Sequence, residues 1–177
     1  GADLTIIEEA SEFLERMRAG AHLPMFTSCC PGWVRFLKSQ YPDMVSQLST
    51  SKSPHQMFGT LTKTWLAQRL GVDPSRIFNI SIMPCVAKKQ EIDIPAMNDS
   101  GFRDVDLVLT TREVVRMIRS EHIDVSVLQD LPLDDPLGEA SGAAVIFGAS
   151  GGVMEAALRT AYYLVNGKDP DPDAYQQ

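Results

Sequence analysis

The sequence has few of the residues that build disulfide frameworks, histidine-rich metal sites or membrane spans. Its 177 residues include only three cysteines and three histidines. An odd number of cysteines, two of them adjacent, argues against a secreted disulfide framework. No apolar run approaches the roughly 18 residues that a membrane-spanning helix needs, and no charged-then-apolar leader opens the chain. We therefore expect no membrane span and a cytoplasmic location, with a periplasmic one as the alternative.

Basic residues are also in the minority, because 16 lysines and arginines face 23 acidic residues for a net charge of -7. An acidic chain repels phosphate backbones, so the composition argues against nucleic-acid binding. Hydrophobic residues make up 44% and charged residues 22% of the sequence. These proportions suit one globular domain with a real core.

Helix-like and strand-like segments alternate along the chain. Predicted helices cover residues 6–17, a segment from residue 31, residues 53–70, residues 111–118 with Thr111 as the cap, and residues 151–165. Predicted strands cover residues 23–27, 77–83, 105–109 and 143–147, and residues 130–142 are predicted to form a loop. This alternation predicts an α/β fold with parallel strands and flanking helices. The few strands between an opening helix and a closing loop indicate a single partial domain over residues 1–177.

The first of three motifs is Thr27-Ser28-Cys29-Cys30-Pro31-Gly32-Trp33. Pro31 favours the first position of a helix, which makes Cys30 a candidate N-cap. The partial positive charge and free N–H groups of a helix N-terminus favour the thiolate, the form of cysteine that binds metals. Cys29 lies in an extended segment and points elsewhere, so the two thiols can differ in function. Buried structural thiols are the alternative.

The second motif, Met83-Pro84-Cys85-Val86-Ala87-Lys88-Lys89-Gln90-Glu91, follows a predicted buried strand. Cys85 lies at the carboxyl end of that strand, where α/β proteins gather their sites. If a helix starts there, Lys88 lies one turn further on the same side. A cation beside a thiolate lowers the pKa of the thiol or neutralises an anionic ligand. A strand end with a solvated lysine is the alternative, and it is the stronger one for either motif taken alone.

The third motif is a glycine-rich run, Phe147 to Glu155, in which Gly148 to Gly152 spell G-x-S-x-G. This spacing is typical of the nucleophile elbow of α/β hydrolases, with Ser150 as the nucleophile. That fold requires a histidine after the serine, whereas all three histidines precede it: His22, His55 and His122. A glycine turn leading into a helix whose N-terminus faces an anion is the simpler interpretation.

Together these segments closely resemble the catalytic domain of the iron-only (FeFe) hydrogenases. The family signature TSCCPxW is complete at residues 27–33, and the signature MPCxxKxxE is complete at residues 83–91. Residues 147–159 and 1–12 are also similar to the family. The resemblance covers essentially the whole chain. It implies a part of the two-lobed catalytic domain, with reversible interconversion of dihydrogen with protons and electrons as the activity.

The resemblance also implies a cofactor, the H-cluster. It consists of a 4Fe-4S cubane bridged by a cysteine to a two-iron unit that carries carbonyl, cyanide and a dithiolate. By motif position, Cys30 and Cys85 are two of the four cubane ligands. The other two cysteines belong to a third signature that the 177 residues do not contain, so this segment alone is expected to be inactive.

The remaining site residues are implied by the same resemblance. Cys29 would relay protons, with Glu12, Ser49 and Glu9 as onward carriers, and the helical pattern independently puts Glu9 at the border of the apolar stripe and Glu12 on the polar side. The residues expected around the cluster are Lys88, which would hydrogen-bond a cyanide, and Met83, Pro84, Ser53, His55 and Phe147. His55 is a departure, because many relatives carry glutamine there. A histidine could alter proton supply or act only as a different hydrogen-bonding group.

Two further hypotheses stay open at this point. The chain could be a non-catalytic relative, an iron–sulfur assembly scaffold, or the hydrogenase could be tuned as a hydrogen sensor. The presence of Cys29 and Met83 favours the enzyme, because such scaffolds generally lack the first cysteine of the pair. A zinc protein fits poorly, since adjacent cysteines are not the usual ligand spacing. Expected partners are the remainder of the polypeptide, a ferredoxin-type electron carrier and maturation proteins.

Overall fold

Helices form most of the regular structure in the computed structural model, which describes residues 1–21 and 23–175. The α-helices are α1 (Ala2–Arg18), α2 (Pro31–Gln40), α3 (Pro54–Leu61), α4 (Ala67–Leu70), α5 (Lys88–Glu91), α6 (Thr111–Ser120), α7 (Gly142–Ile146) and α8 (Gly152–Asn166). A π-helical segment, Thr62–Leu66, connects α3 and α4. The strands are β1 (Ile80–Met83) and β2 (Leu107–Thr110). Within the described ranges, no helix is both long and apolar enough to span a bilayer.

The contacts divide the chain into two compact units, residues 1–58 with the segment from residue 140 onward, and residues 59–139. In the first unit α1 packs against α7 and α8. Ile6 and Ala10 of α1 and Ala156 of α8 are completely buried. Asp3 fixes the start of α7, because its carboxylate accepts hydrogen bonds from the Ser141 N–H (3.0 Å) and from the Ser141 hydroxyl.

The second unit contains the sheet, in which β1 and β2 pair in parallel from Ile80↔Leu107 to Met83↔Thr110. Its small core consists of Ile92, Val105 and Val108, against which Met83 packs. Helix α6 follows β2 directly and begins with a reciprocal cap. The Thr110 hydroxyl accepts from the Glu113 N–H (3.2 Å), and the Thr110 N–H donates to Glu113 Oε2 (2.7 Å). The prediction of an α/β fold with parallel strands is confirmed.

Some predicted boundaries were wrong. The cap of α6 is Thr110, not Thr111, and β1 starts only at Ile80. The predicted strand over residues 23–27 is reduced to one bridge between Phe26 and Leu48. The neighbouring 3-10 helix, Pro42–Gln47, ends one residue before Leu48 and leaves little extended chain for a longer ladder.

The predicted strand over residues 143–147 was also wrong, because this segment is helix α7. A short apolar run cannot be assigned to a strand or a helix from its periodicity alone. Here the Ser141 hydroxyl accepts the Ala143 N–H at 3.2 Å, and this N-cap stabilises a helix rather than a strand. The prediction that residues 1–177 form one partial domain stays a prediction.

Candidate functional site

Cys30 is the N-cap of α2, as the sequence predicts. Its backbone is extended (φ -104°, ψ 109°), and its carbonyl accepts the first helical hydrogen bond from the Val34 N–H at 3.0 Å. Pro31 takes the first helical position, where its missing N–H costs nothing. The half-buried, reduced thiol of Cys30 therefore lies at the positive end of a helix dipole.

The segment before Cys30 is held against α1 by Ser28. The Ser28 N–H donates to Glu9 Oε1 at 3.2 Å, and the Ser28 hydroxyl donates to the Ser51 carbonyl at 2.6 Å. Cys29 directly follows Ser28 and is also a reduced, half-buried thiol. The fold thus places the first cysteine of the pair one residue from a contact with Glu9.

Glu9 is a completely buried carboxylic acid. Burial raises the pKa of Glu9, the nearby charge of Glu12 raises it further, and the Ser28 N–H and the Ser49 hydroxyl only partly oppose this. Oε2 of Glu9 has no hydrogen-bond partner in the part of the chain that the structure describes. The Ser49 hydroxyl is therefore close to Glu9 but forms no hydrogen bond with that oxygen. A buried acid with a raised pKa is the kind of group that takes part in proton transfer.

Glu12, one turn along α1, has the opposite environment. Its carboxylate accepts the Ser49 hydroxyl at 2.8 Å, the Thr50 N–H at 2.9 Å and the Arg16 guanidinium at 2.7 Å. Partial burial raises the pKa of Glu12, but the hydrogen bonds from Ser49, Thr50 and Arg16 and the Arg16 charge outweigh it, so the pKa is lowered. Glu12 is therefore held as the anion.

Ser49 lies between these two acids and is itself buried. Its hydroxyl donates to Glu12 and accepts the Ser51 N–H at 3.1 Å. A hydroxyl can release one proton while it takes up another. Because the Ser49 hydroxyl can donate and accept at once, Glu9, Ser49 and Glu12 form an array along which a proton can move between a buried and a less buried carboxylate.

The second cysteine motif forms a turn after β1. The Cys85 carbonyl accepts the Lys88 N–H at 3.0 Å, so Lys88 starts α5 one turn from Cys85. The Lys88 side chain is buried, and its Nζ forms an ion pair with Glu91 Oε2 at 3.2 Å, also buried. Lys88 thus follows Cys85 by one turn, although α5 begins at Lys88 and not at Cys85.

The other predicted site residues are divided between the two units. Ser53 and His55 are buried at the start of α3, and Phe147 is half-buried at the end of α7, all in the first unit. Met83 is half-buried and Pro84 exposed beside Cys85 in the second unit. The structure itself brings together Glu9, Ser49 and Glu12, with Glu9 bound to the residue before Cys29, and it puts Lys88 one turn after Cys85.

Three residues of these groups were missed by sequence reasoning. Arg16 anchors Glu12 and also donates to the Ser46 and Leu48 carbonyls. Its spacing of four residues from Glu12 on one helix was a usable signal. Glu91 lies three residues after Lys88, so the same rule could have found that pair. No local pattern in the sequence indicated the role of Ser28, because its contact with Glu9 spans 19 residues.

The donors fit part of a cluster and not a complete metal centre. In the described ranges, no group of three or more His, Cys, Asp or Glu side chains could hold a metal ion. The chain does supply two reduced, half-buried thiols, one at a helix N-terminus and one beside a buried lysine. Cysteine sulfur is the donor that iron–sulfur clusters use, so each of the two residues suits such a cofactor by its chemistry.

The glycine-rich run has no hydrolase context. It connects two helices, α7 and α8, rather than a strand and a helix, and Ser150 is exposed. A methyl group added at Gly152 would lie 1.8 Å from the Ile146 carbonyl oxygen, so glycine here allows α8 to start directly against α7. The nucleophile-elbow interpretation is therefore not supported.

The fold and the two thiol motifs are those of an iron-only hydrogenase domain. The model of the family "Iron only hydrogenase large subunit, C-terminal domain" matches residues 1–177, and the chain belongs to this family. It is 48% identical to Iron hydrogenase 1 of Clostridium pasteurianum over all 177 residues, and 51% identical over 172 residues to the periplasmic [Fe] hydrogenase large subunit of Nitratidesulfovibrio vulgaris. The two alignments cover 100% and 96% of this chain, but only 31% and 41% of those proteins.

The structural comparison agrees with the family. A variant of apo [FeFe]-hydrogenase HydA1 from Chlamydomonas reinhardtii matches 97% of this chain and 44% of its own, with a TM-score of 0.79 and 44% identity. More distant is cytosolic iron-sulfur assembly component 3 of Rattus norvegicus, 34% identical over 90% of this chain and 36% of its own. The chain therefore resembles the hydrogenases more than the assembly proteins.

Proposed function

We propose that the chain is part of the H-cluster domain of an iron-only hydrogenase that interconverts dihydrogen with protons and electrons. The observation that carries this proposal is the array of Glu9, Ser49 and Glu12 beside Cys29. A proton relay is needed by an enzyme that makes or splits dihydrogen, whereas a cluster-assembly scaffold has no use for one. The remainder of a longer polypeptide would complete the domain.

Cys30 and Cys85 would supply two of the four thiolates that hold the 4Fe-4S cubane. Lys88 would donate a charge-assisted hydrogen bond to a cyanide, and its ion pair with Glu91 would orient it. Ser53, His55, Met83, Pro84 and Phe147 would form the surroundings. When bound, the H-cluster with its carbonyl, cyanide and dithiolate ligands supplies the cleavage and formation of the H–H bond.

Cys29 would exchange protons with Glu9, a buried carboxyl whose pKa is raised by its burial. Glu9 would pass the proton to the Ser49 oxygen while the Ser49 hydroxyl proton moves to Glu12. Glu12 is held by Arg16 and Thr50 and would exchange the proton with solvent. All the residues proposed to carry the proton belong to the first unit of the fold.

Dihydrogen evolution from reduced methyl viologen, with the complete polypeptide loaded with the two-iron unit, tests the proposal. We expect Cys29→Ser to keep its iron and to lose about 100-fold or more in rate. The matched variants Cys30→Ser and Cys85→Ser should lose iron. Unchanged activity in Cys29→Ser would refute the relay and keep the enzyme.

An assembly scaffold is the second candidate, because 34% identity to an assembly component extends over 90% of the chain. A loaded wild-type protein that binds the cubane and evolves no dihydrogen would favour this candidate. Ferredoxin-type carriers, maturation proteins and the location in the cytoplasm or periplasm stay predictions.

A further inference from the structure

Two segments that are distant in the sequence run side by side next to α1. We call residues 26–30, which carry both adjacent thiols, the cysteine segment, and residues 47–51, which carry Ser49, the relay segment. Phe26 of the cysteine segment donates its N–H to the relay segment and accepts an N–H from it through its carbonyl, both at 2.7 Å. The distance of Cys29 from the proposed proton carriers therefore depends on how these two segments are held together.

Two carboxylates of α1 each bind one of these segments. Glu9 Oε1 accepts the Ser28 N–H of the cysteine segment at 3.2 Å. Glu12 accepts the Ser49 hydroxyl at 2.8 Å and the Thr50 N–H at 2.9 Å, both from the relay segment. The two acids lie one helix turn apart, so α1 gives both segments a common support.

The Ser28 side chain connects the two segments directly. Its hydroxyl donates to the Ser51 carbonyl at 2.6 Å, and the Ser51 N–H donates to Ser49 Oγ at 3.1 Å. Together with the contacts to α1, these hydrogen bonds close a ring whose members are Glu9, Ser28, Ser51, Ser49 and Glu12. One turn of α1 joins the last member to the first. Ser28 is the member that belongs to the cysteine segment.

The hydrogen bonds of Ser28 suit a residue that orients the carriers rather than a carrier. Its hydroxyl donates to a backbone carbonyl, which has no proton of its own to release in exchange. Its N–H occupies Oε1 of Glu9, whereas the buried Oε2 has no partner among the described residues. Oε2 is therefore the oxygen of Glu9 that is available for proton exchange, and the bond from Ser28 fixes where that oxygen lies.

We propose that Ser28 is a positioning residue of the proton relay, because its hydroxyl holds the cysteine segment against the relay segment and its N–H orients the Glu9 carboxyl. This inference rests on the proposed function, since it requires a relay to position. Loss of the hydroxyl leaves Cys29, Glu9 and the N–H of residue 28 in the chain but releases the cysteine segment from the relay segment. A displacement of about 1 Å between reacting groups is enough to slow their reaction strongly.

The test uses the complete, loaded polypeptide and dihydrogen evolution from reduced methyl viologen. We expect Ser28→Ala to keep its iron and to lose about tenfold in rate. Ser28→Thr keeps the hydroxyl and should recover most of the rate. The matched control is Ser39→Ala, because the Ser39 hydroxyl also donates to a backbone carbonyl, that of Phe36 at 3.0 Å, at an exposed position on α2. Its rate should stay within about twofold of the wild type.

Three further measurements separate positioning from a general structural defect. The ratio of the rates in H2O and D2O should rise in Ser28→Ala and return to the wild-type value in Ser28→Thr, since proton transfer becomes the slow step. In a Glu9→Gln background, Ser28→Ala should lower the remaining rate by less than about twofold, because Ser28 acts through Glu9. In the complete apo polypeptide, the amide of residue 28 should exchange with D2O faster in Ser28→Ala than in Ser28→Thr.

The results distinguish failure of the positioning role from failure of the proposed function. A loaded wild type that evolves no dihydrogen would refute the proposed function and this inference with it. An active wild type that loses its rate in Cys29→Ser and keeps it in Ser28→Ala would overturn the positioning role alone. The same holds if Ser28→Ala lowers the rate equally with and without Glu9→Gln, or if it unfolds or loses iron, because Ser28 would then support the fold or the cluster instead.

Discussion

Ser49 donates a hydrogen bond from Oγ to Glu12 Oε2 at 2.8 Å, across 37 residues of sequence. Glu9 lies on the same helix as Glu12 and has the opposite electrostatic environment, since burial raises its pKa while hydrogen bonds lower the pKa of Glu12. The Ser49 hydroxyl therefore lies between an acid whose pKa is raised and an acid whose pKa is lowered. This arrangement makes the proposed relay testable by substitutions that leave the rest of the fold in place.

Ser49→Ala should interrupt proton transfer. It removes the only hydroxyl that Glu12 binds within the described residues, and we expect the dihydrogen evolution rate of the loaded complete polypeptide to fall about 100-fold. Iron content should stay at the wild-type level. Ser46→Ala is the control, because Ser46 is exposed and contributes only its backbone carbonyl to Arg16. Equal rates in both variants would exclude Ser49 from the relay.

Glu9→Gln should stabilise the protein at neutral pH. The folded-state pKa of Glu9 lies above its ordinary value of 4.5, so the ionised form costs free energy at neutral pH and the cost disappears as the pH falls towards 4.5. The neutral variant should gain about 1 kcal/mol in the free energy of unfolding near neutral pH and nothing near about pH 4. Urea unfolding of the complete apo polypeptide at several pH values measures this, and a loss of stability at neutral pH would contradict it.

Glu12→Gln should have the opposite effect. The folded-state pKa of Glu12 is lowered, so its contribution to stability is present above 4.5 and is lost as the pH falls through the lowered pKa. At neutral pH the variant should lose about 2 kcal/mol, because charge-assisted hydrogen bonds from Arg16 and Thr50 are weakened. Urea unfolding at the same pH values measures this. A difference in the free energy of unfolding between variant and wild type that grows on acidification would contradict the prediction.

Lys88→Met should be far more damaging than Lys89→Met. Lys88 is buried, and removal of its charge breaks its buried ion pair with Glu91, which should cost about 3 kcal/mol in the free energy of unfolding. The exposed pair of Lys89 and Glu113 is screened by solvent, so its loss should change little. Urea midpoints of the two complete apo proteins, measured side by side, decide the point; similar midpoints would show that burial of the Lys88 pair has no special role.

Gly152→Ala should prevent the close approach of α7 and α8. Its new methyl group would meet the Ile146 carbonyl oxygen, a backbone atom that cannot move aside, and we expect a loss of about 3 kcal/mol. Gly142→Ala is the matched change in α7, where a methyl group meets nothing within 4 Å, and it should gain up to about 1 kcal/mol from helix propensity. Thermal midpoints of the two complete proteins should move in opposite directions.

The sequence alone determined the elements whose signals are local. Cys30 as the cap of α2 follows from Pro31 beside it, and the long helices α1 and α8 follow from their apolar spacing. The two cysteine signatures were complete in the sequence and indicated the family that the comparisons confirm. The separation of Glu9 and Glu12 by one turn of α1 could also be read from their spacing, whereas the complete burial of Glu9 could not.

Only the tertiary structure decided the chemistry of those carboxylates and the identity of α7. Glu12 is held as an anion because residues 46–50 approach α1 from more than 30 residues away and bring Ser49, Thr50 and the carbonyls that fix Arg16. Residues 143–147 became a helix because Ser141 caps them and is itself held by Asp3, 138 residues distant. Such pairings depend on where the folded backbone brings distant residues together, and no local pattern of side chains records that.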